Sequence, residues 1–356
     1  MNEPHQTIYA RLMELKARTP WTHWPEELRR ALQHSARRLA EGLHTPAFPP
    51  VLYIEPTNAC NCNCRICPRQ NMTRPVGMMD LNLYRRIVDS AASMGPSELH
   101  LFNFGEPMLH PELEEMVRYG TQNKLKVRFQ TNGLLVEEER ILRLLEAGLG
   151  YIGVSVNGLT AQEYETIRPG HSFQRLLGNL QRLRAAIDRS GRSCTLHVAA
   201  QILKEESADR GADIEIFKKT WFSLADSLSI FGLSKYDGIS IMQQGQETES
   251  LLAKQKRKPD ENILCAEPFD RLVVKWDGQA TVCCVDYDAS LVVGDLQRQS
   301  LAEVWHSPAL EAIRDAVRQR KYAQIPLCRS CPKFYSEPFT LFLQKTVKPI
   351  PAPIFQ

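Results

Sequence analysis

Thr57-Asn58-Ala59-Cys60-Asn61-Cys62-Asn63-Cys64-Arg65-Ile66-Cys67-Pro68 places four cysteines within eight residues. Cys60, Cys64 and Cys67 are spaced C-x3-C-x2-C, so one tight loop can bring three thiolates together. Thiolates are soft ligands that suit iron–sulfur clusters or zinc. A closed zinc site takes four ligands, commonly as two separated pairs, whereas three from one loop leave a position open. An open iron is the better reading of this loop, and a zinc knot or two disulfides are the alternatives. Cys62 is left spare.

Outward from this stretch, short apolar or β-branched runs alternate with longer segments of helical period. Strands are expected at Val51–Thr57, Glu98–Phe104, Lys126–Thr131, Tyr151–Val156, Thr195–Leu203 and Ile239–Gln243. Helices are expected at Leu81–Ser93, Pro111–Asn123, Glu137–Ala147, Ala161–Ile167, Phe173–Ser190 and Asp213–Ser227. Such alternation implies an α/β protein with a parallel sheet wound in right-handed units, either open or curled into a partial barrel. Ligands of these sheets sit at the C-terminal ends of the strands. Those ends are suitably polar and glycine-rich here: Asn103-Phe104-Gly105-Glu106-Pro107, Gln130-Thr131-Asn132-Gly133 and Ser155-Val156-Asn157-Gly158. Gly148-Leu149-Gly150-Tyr151-Ile152-Gly153 matches the dinucleotide G-x-G-x-x-G but precedes a strand instead of following one, so it reads as a helix-ending turn. His100, His110 and His197 have no second ligand spaced to join them and read as solvated or satisfied core residues.

With 356 residues, 43% apolar and 24% charged, the chain can bury a large core. A formal charge of +3 gives no general basic face for nucleic acid or an anionic membrane. Neither a leader-like N-terminus nor an 18-residue apolar run occurs, so a cytoplasmic location is expected. Ten cysteines in that reducing compartment favour metal ligation over disulfides.

The expected domains are an N-terminal helical extension over 1–48, the sheet domain over 49–243, a linker or lid over 244–263, a second cysteine-bearing domain over 264–335 and a tail over 336–356. The 1–48 extension reads as packed on the outside of the main domain, and Lys254–Lys258 as a solvated basic loop. In the second domain Cys265, Cys283, Cys284, Cys328 and Cys331 supply enough thiolates for a closed site, as a zinc ribbon or as an iron–sulfur cluster. Leu272–Trp276 and Ala280–Val285 around Asp277-Gly278 read as a hairpin, and Leu301–Arg320 as an amphipathic helix.

The C-x3-C-x2-C loop after a first strand, followed by Gly105-Glu106-Pro107 and the polar fourth strand, resembles the radical S-adenosylmethionine (SAM) enzymes. That resemblance implies a partial (β/α)6 barrel in which Cys60, Cys64 and Cys67 hold a [4Fe–4S] cluster whose fourth iron binds SAM. It places Ile66 against the adenine, Gly105 and Glu106 at the amino group, Ser155 and Asn157 at the ribose and carboxylate, and Arg168 at the carboxylate. Phe104 departs from the family by standing where a first glycine is common. Cys265-x12-Gly278-x4-Cys283, then Gly294-Asp295-Leu296, Leu301–Trp305 and Cys328-x2-Cys331, is similar to the family's SPASM/twitch extension, a small α+β domain. No cysteine follows Cys331, so the shorter twitch form is implied, with one auxiliary [4Fe–4S] cluster on Cys265, Cys283, Cys328 and Cys331. The glycine spacing prefers Cys283 to Cys284.

The activity implied is hydrogen abstraction by a 5′-deoxyadenosyl radical, with the auxiliary cluster accepting an electron, in an oxidoreductase acting on a small polar, sugar- or aminocyclitol-like substrate. An electron donor such as flavodoxin or ferredoxin is expected. The alternatives are a maturase of a ribosomal peptide, or an epimerase drawing a hydrogen from Cys62, Cys194 or Cys284. From another class, a zinc-binding scaffold would make both cysteine sets structural, but it leaves the polar strand ends without a purpose.

Overall fold

The computed structural model describes residues 44–95, 98–203, 211–233, 265–329, 331 and 340–344. Residues 1–43 of the expected helical extension, the expected linker at 244–263 with its basic run, and the strand expected at Ile239–Gln243 lie outside the described residues.

Six strands alternate with helices: β1 Val51–Ile54 and α1 Leu81–Met94, β2 Glu98–Leu101 and α2 Leu113–Gln122, β3 Lys126–Thr131 and α3 Glu138–Glu146, then β4 Tyr151–Asn157. Two helices, α4 Ala161–Ile167 and α5 Phe173–Ser190, lead to β5 Thr195–Leu203, and α6 Gly211–Trp221 leads to β6 Ser227–Leu233. Helix starts are fixed by side chains: Asp80 accepts from the Asn82 and Leu83 amides at α1, and Thr160 accepts from the Glu163 amide at α4. Gly148, at φ +96° after α3, makes the turn into β4 and confirms that the G-x-G-x-x-G run is no phosphate loop.

These six strands are all parallel and lie in the order β6-β5-β4-β3-β2-β1, each beside its neighbour in sequence. No reversal of order occurs. Right-handed crossovers then put every helix on the same side, so the sheet curls and leaves the other face as the inside of a partial barrel. Burial follows this division. Leu52 and Ile54, Leu99 and Leu101, and Val127 and Phe129 are buried under the helices and alternate with residues that face the lumen.

The sixth strand corrects the sequence reading at the end of α6. Helical spacing suggested a helix through Ser227, but α6 stops at Trp221 and Ser227–Leu233 forms the strand. Leu228 and Ile230 face the core, while Ser227 and Ser229 point into the lumen and bond His197. The expected 301–320 helix is likewise two, α8 Leu301–Trp305 and α9 Pro308–Arg318, because Ser307 caps a new start at Pro308.

A further helical turn, α7 Glu267–Asp270, opens the cysteine-rich C-terminal part and feeds β7 Arg271–Val274. That strand pairs parallel with β1, in register Ile54 to Val274, and continues antiparallel into β8 Gln279–Thr281 and β9 Val292–Asp295. The expected hairpin is therefore present, joined edge-on to the barrel sheet. At the opposite edge, β10 Thr340–Gln344, in what sequence suggested was a tail, pairs antiparallel with β6. Residues 45–47 run over the C-terminal helices, where Trp305 Nε1 donates to the Pro46 carbonyl at 2.8 Å and Arg318 donates to Thr45 Oγ1 at 2.8 Å.

His197 shares its two ring nitrogens with Ser227 Oγ and Ser229 Oγ, each at 2.8 Å. Burial, with the nearby Arg128 charge, pushes it down to about 4. Between the unfolded value near 6.5 and that point the unfolded chain binds a proton that the folded chain refuses, so stability falls on acidification by roughly 1.4 kcal/mol per pH unit. Denaturant unfolding at pH 6.5 and 4.5 should show a smaller acid loss in His197→Gln than in wild type.

Candidate active site

The loop after β1 is stitched before its cysteines are reached. Asn58 donates to the Pro75 carbonyl at 2.9 Å and accepts from the Gly77 amide at 2.9 Å, while Thr57 Oγ1 donates to the Gly77 carbonyl at 2.6 Å. Glu55, at the strand end, is buried in a bidentate pair with Arg74 at 3.0 and 2.9 Å. Between these anchors the Cys67 amide closes a turn on the Cys64 carbonyl, and Arg65 N–H bonds the Ile167 carbonyl after the fourth strand. Ile66 and Ile167 pack together against Cys64.

Cys62 is buried among its neighbours, its amide donating to Cys60 Sγ at 3.4 Å. Hydrogen bonding from the Cys62 thiol draws Cys60 and Cys64 down to about 6, and Cys62 itself is raised in return. Burial pushes Cys67 up to about 11. Cys62 is therefore engaged within the loop. Cys194 precedes β5 and sits at the N-terminal end of the barrel, about 30 Å along a nine-residue strand from the rim. It is not brought to the cysteine loop.

At the rim, Gly105 passes so close to the first loop that an added Cβ would stand 1.9 Å from the Thr57 carbonyl oxygen. Next to it the Glu106 amide donates to the Ala59 carbonyl at 2.8 Å. The Glu106 carboxylate turns inward, accepting from the Met108 amide, Thr131 Oγ1 and the Asn132 amide at 3.1, 2.8 and 2.7 Å. Burial raises its carboxyl to about 7 even against these three donors. Asn132 extends the link to Asn61 Oδ1 at 2.7 Å.

Arg168 is buried across the ends of the third and fourth strands, donating to the Asn132 carbonyl at 3.0 Å and the Ser155 carbonyl at 2.6 Å. Ser155 Oγ accepts from Gln130 at 2.9 Å. Asn157 Oδ1 is buried with no hydrogen-bond partner, which a native interior rarely tolerates without a ligand or water. The expected SAM residues thus gather on one rim, although Glu106 and Arg168 already spend much of their bonding on the protein.

The second cysteine set also gathers. Cys283 lies within electrostatic reach of Cys265, and Cys328 within reach of Cys265 and Cys331. Cys284 Sγ stands 3.9 Å from Glu267 Oε2, beside the Glu267–Arg271 ion pair, and both Cys284 and Glu267 are charged neighbours of Cys283 as well. Among the described residues no three His, Cys, Asp or Glu side chains converge tightly enough for a single metal ion. A cluster of several irons receives its thiolates on different metals and needs no such convergence. Three thiols on one loop, a bare-glycine crossing and an orphaned amide oxygen on the facing strand fit a cluster with bound SAM; four thiols fit the auxiliary group.

The lumen face carries what sequence reading missed. Tyr53 meets His100 edge-on at 4.8 Å, and His100 contacts Glu98 at 3.2 Å. Glu98 pairs with Arg128 at 2.7 Å, Arg128 lies over Tyr151, and Tyr151 stacks on His197. A polar and aromatic ribbon therefore crosses the inside of the barrel. The three histidines are satisfied as expected, His110 by the Met79 carbonyl at 3.0 Å.

Comparison with known proteins identifies two domains. Residues 54–206 match the model of the Radical SAM superfamily, and residues 265–332 match SPASM, an iron–sulfur cluster-binding domain. The chain carries a radical SAM domain followed by a SPASM domain. Radical SAM domains bind a [4Fe–4S] cluster and SAM, and SPASM domains bind further iron–sulfur clusters. An AdoMet-dependent heme synthase of Methanosarcina barkeri is 33% identical over 141 residues, 39% of this chain and 40% of that protein. The match thus spans two-fifths of that relative. BtrN, solved in complex with AdoMet and 2-DOIA, superposes with a TM-score of 0.51 at 18% identity over 83% of this chain and 100% of that one. SuiB of Streptococcus suis, bound to precursor peptide SuiA, gives a TM-score of 0.56 at 15% identity over 80% and 71% of the two chains. At these identities the two structures establish the fold alone. Among the described residues no helix is long and apolar enough to cross a membrane.

Gly105→Ala should break the rim, because backbone cannot yield to a 1.9 Å approach. The expected result is loss of SAM binding by equilibrium dialysis and of roughly half the iron. Gly150→Ala, with nothing within 4 Å of its added carbon, should keep both.

Proposed function

We propose that this radical SAM protein is an oxidoreductase that acts on a small polar substrate, sugar- or aminocyclitol-like, and passes an electron to one auxiliary [4Fe–4S] cluster. The observation that favours the reading is the polar ribbon from Tyr53 to His197, which lies inside the barrel beneath the rim and gives the lumen a hydrogen-bonding floor, a setting for a hydroxyl- or amine-bearing molecule more than for an apolar one. BtrN, whose complex contains a small molecule with AdoMet, shares the fold over its whole length.

Cys60, Cys64 and Cys67 hold the SAM-binding cluster in this reading. Ile66, backed by Ile167, offers an apolar surface to the adenine. Glu106 fixes the rim and keeps one of its roughly four acceptor positions for the amino group. Asn157 Oδ1 and Ser155 face the ribose and carboxylate, and Arg168 adds its remaining N–H groups. When bound, cluster and SAM together supply hydrogen-atom abstraction from an unactivated carbon. The chain's own work is to orient that carbon and to exclude water and stray hydrogen donors. Cys265, Cys283, Cys328 and Cys331 hold the auxiliary cluster; Cys284, directed to Glu267, stays outside it. Flavodoxin or ferredoxin is the proposed reductant, and the cytoplasm the proposed location.

Anaerobic protein incubated with SAM, reductant and candidate sugars or aminocyclitols should form 5′-deoxyadenosine together with oxidised product. Turnover only with peptides would replace this reading by a peptide maturase, and solvent deuterium entering substrate without net oxidation would replace it by an epimerase.

Changing Cys60, Cys64 and Cys67 together to Ala should abolish 5′-deoxyadenosine while the auxiliary iron remains. Changing Cys328 and Cys331 to Ala should cost about half the iron and leave 5′-deoxyadenosine uncoupled from oxidised product. Full iron retention in that variant, or zinc in the wild type, would refute the auxiliary cluster.

A further inference from the structure

Asn132 is buried directly after β3, and every polar atom it carries is engaged. Its backbone serves the two charged groups expected at SAM: the N–H donates to Glu106 Oε2 at 2.7 Å, and the carbonyl accepts from Arg168 at 3.0 Å. Its side chain serves the cysteine loop. Oδ1 accepts from the Leu134 amide, two residues on, at 2.9 Å, which closes an Asx turn and fixes the way the side-chain amide faces. Nδ2 is thereby turned to the loop, where it donates to Asn61 Oδ1 at 2.7 Å and to Cys60 Sγ at 3.9 Å.

Two amides thus converge on one sulfur, because the Cys62 N–H also reaches Cys60 Sγ, at 3.4 Å. Hydrogen bonds to an ionised acceptor shorten and strengthen, so both contacts gain once Cys60 is a thiolate. Asn132 also stands between two anions. Burial raises the Glu106 carboxyl, and the Cys60 charge adds to the rise. The three donors that Glu106 receives are neutral, two amides and a hydroxyl. One residue therefore gives an N–H to each anion, backbone to the carboxylate and side chain to the sulfur, without adding a charge of its own.

We propose that Asn132 is a positioning residue that raises the reduction potential of the SAM-binding cluster by donating its side-chain N–H to Cys60 Sγ, while its backbone holds Glu106 and Arg168 at the same rim. This rests on reading Cys60, Cys64 and Cys67 as the ligands of that cluster. An N–H donor to a ligating sulfur favours the reduced, more negative form of a cluster and so makes it easier to reduce.

The test is an EPR-monitored redox titration of the anaerobic full-length protein, as wild type, Asn132→Ser and Asn132→Asp. The SAM-binding cluster is the one whose signal changes when SAM is added. Serine can keep the turn to Leu134 and both backbone bonds, but its hydroxyl is too short to reach Cys60. In Asn132→Ser the midpoint of that cluster should move to a more negative potential, with iron content and SAM affinity by equilibrium dialysis as in wild type. An unmoved midpoint would overturn the proposal. Loss of that cluster's iron from a folded Asn132→Ser protein would overturn it too, leaving Asn132 as a support of the loop alone. Should Asn132→Ser fail to fold, Asn132→Asp decides. It keeps the side chain's size and the Leu134 turn and sets an anionic oxygen where the donor stood, so a negative shift supports the contact with Cys60 and a wild-type midpoint refutes it. A SAM-responsive signal that persists in Cys60→Ala would instead sink the ligand reading, separately from the role of Asn132.

Discussion

A single buried carboxylate holds the rim of this barrel together. Glu106 takes one amide from its own turn, one from the end of β3 and a hydroxyl from Thr131, while its backbone reaches the loop leaving β1. Three successive strand ends are thereby tied at one point. Such a group is favourable only while its donors stay in place, because an unpaired buried carboxylate costs several kcal/mol. Gly105 is the steric half of the same constraint: two backbones cross where no side chain fits. The cysteine loop inherits its position from this crossing, and Asn132 passes it on to Asn61.

The second cysteine set is placed by a different force. Its part of the chain joins the barrel through a parallel ladder between β1 and β7, followed by Lys275, which donates to Asn103 Oδ1 at 3.1 Å and to the Asp286 carbonyl at 2.6 Å across the rim. Backbone hydrogen bonds fix the level of the two loops, and the lysine bonds both sides of the junction. Phe104, which departs from the family's usual glycine, packs edge-on to Tyr287 at 6.0 Å and belongs to this junction. A side chain where glycine is common thus meets the domain that follows the barrel.

Much of the barrel was legible because its signals are local. Lys126–Thr131, Ala161–Ile167, Phe173–Ser190 and Thr195–Leu203 have the bounds read from sequence, each a run whose period matches its element. The cysteine loop was legible for the same reason, its ligands lying within eight residues. The sixth strand was not, because Leu224 and Ala225 prolong the helical spacing, and Ser227 and Ser229 look like surface until His197 is placed opposite them. Lys275 was illegible in principle: its partner Asn103 is 172 residues away, and in sequence it is one more lysine beside a hairpin. The lumen ribbon was hidden too, since polar residues alternating with apolar ones describe a solvent-facing strand as well as the inside of a barrel.

The edge-on joining of β7 to β1 also bears on how such a chain can change. Its two cysteine loops are levelled by a hydrogen-bonded strand pair, in register Ile54 to Val274. Lengthening a connection costs little, about 0.6 kcal/mol for each doubling. A longer or shorter connection between the two parts therefore leaves the register, and with it the level of one cysteine loop against the other, as the sheet dictates.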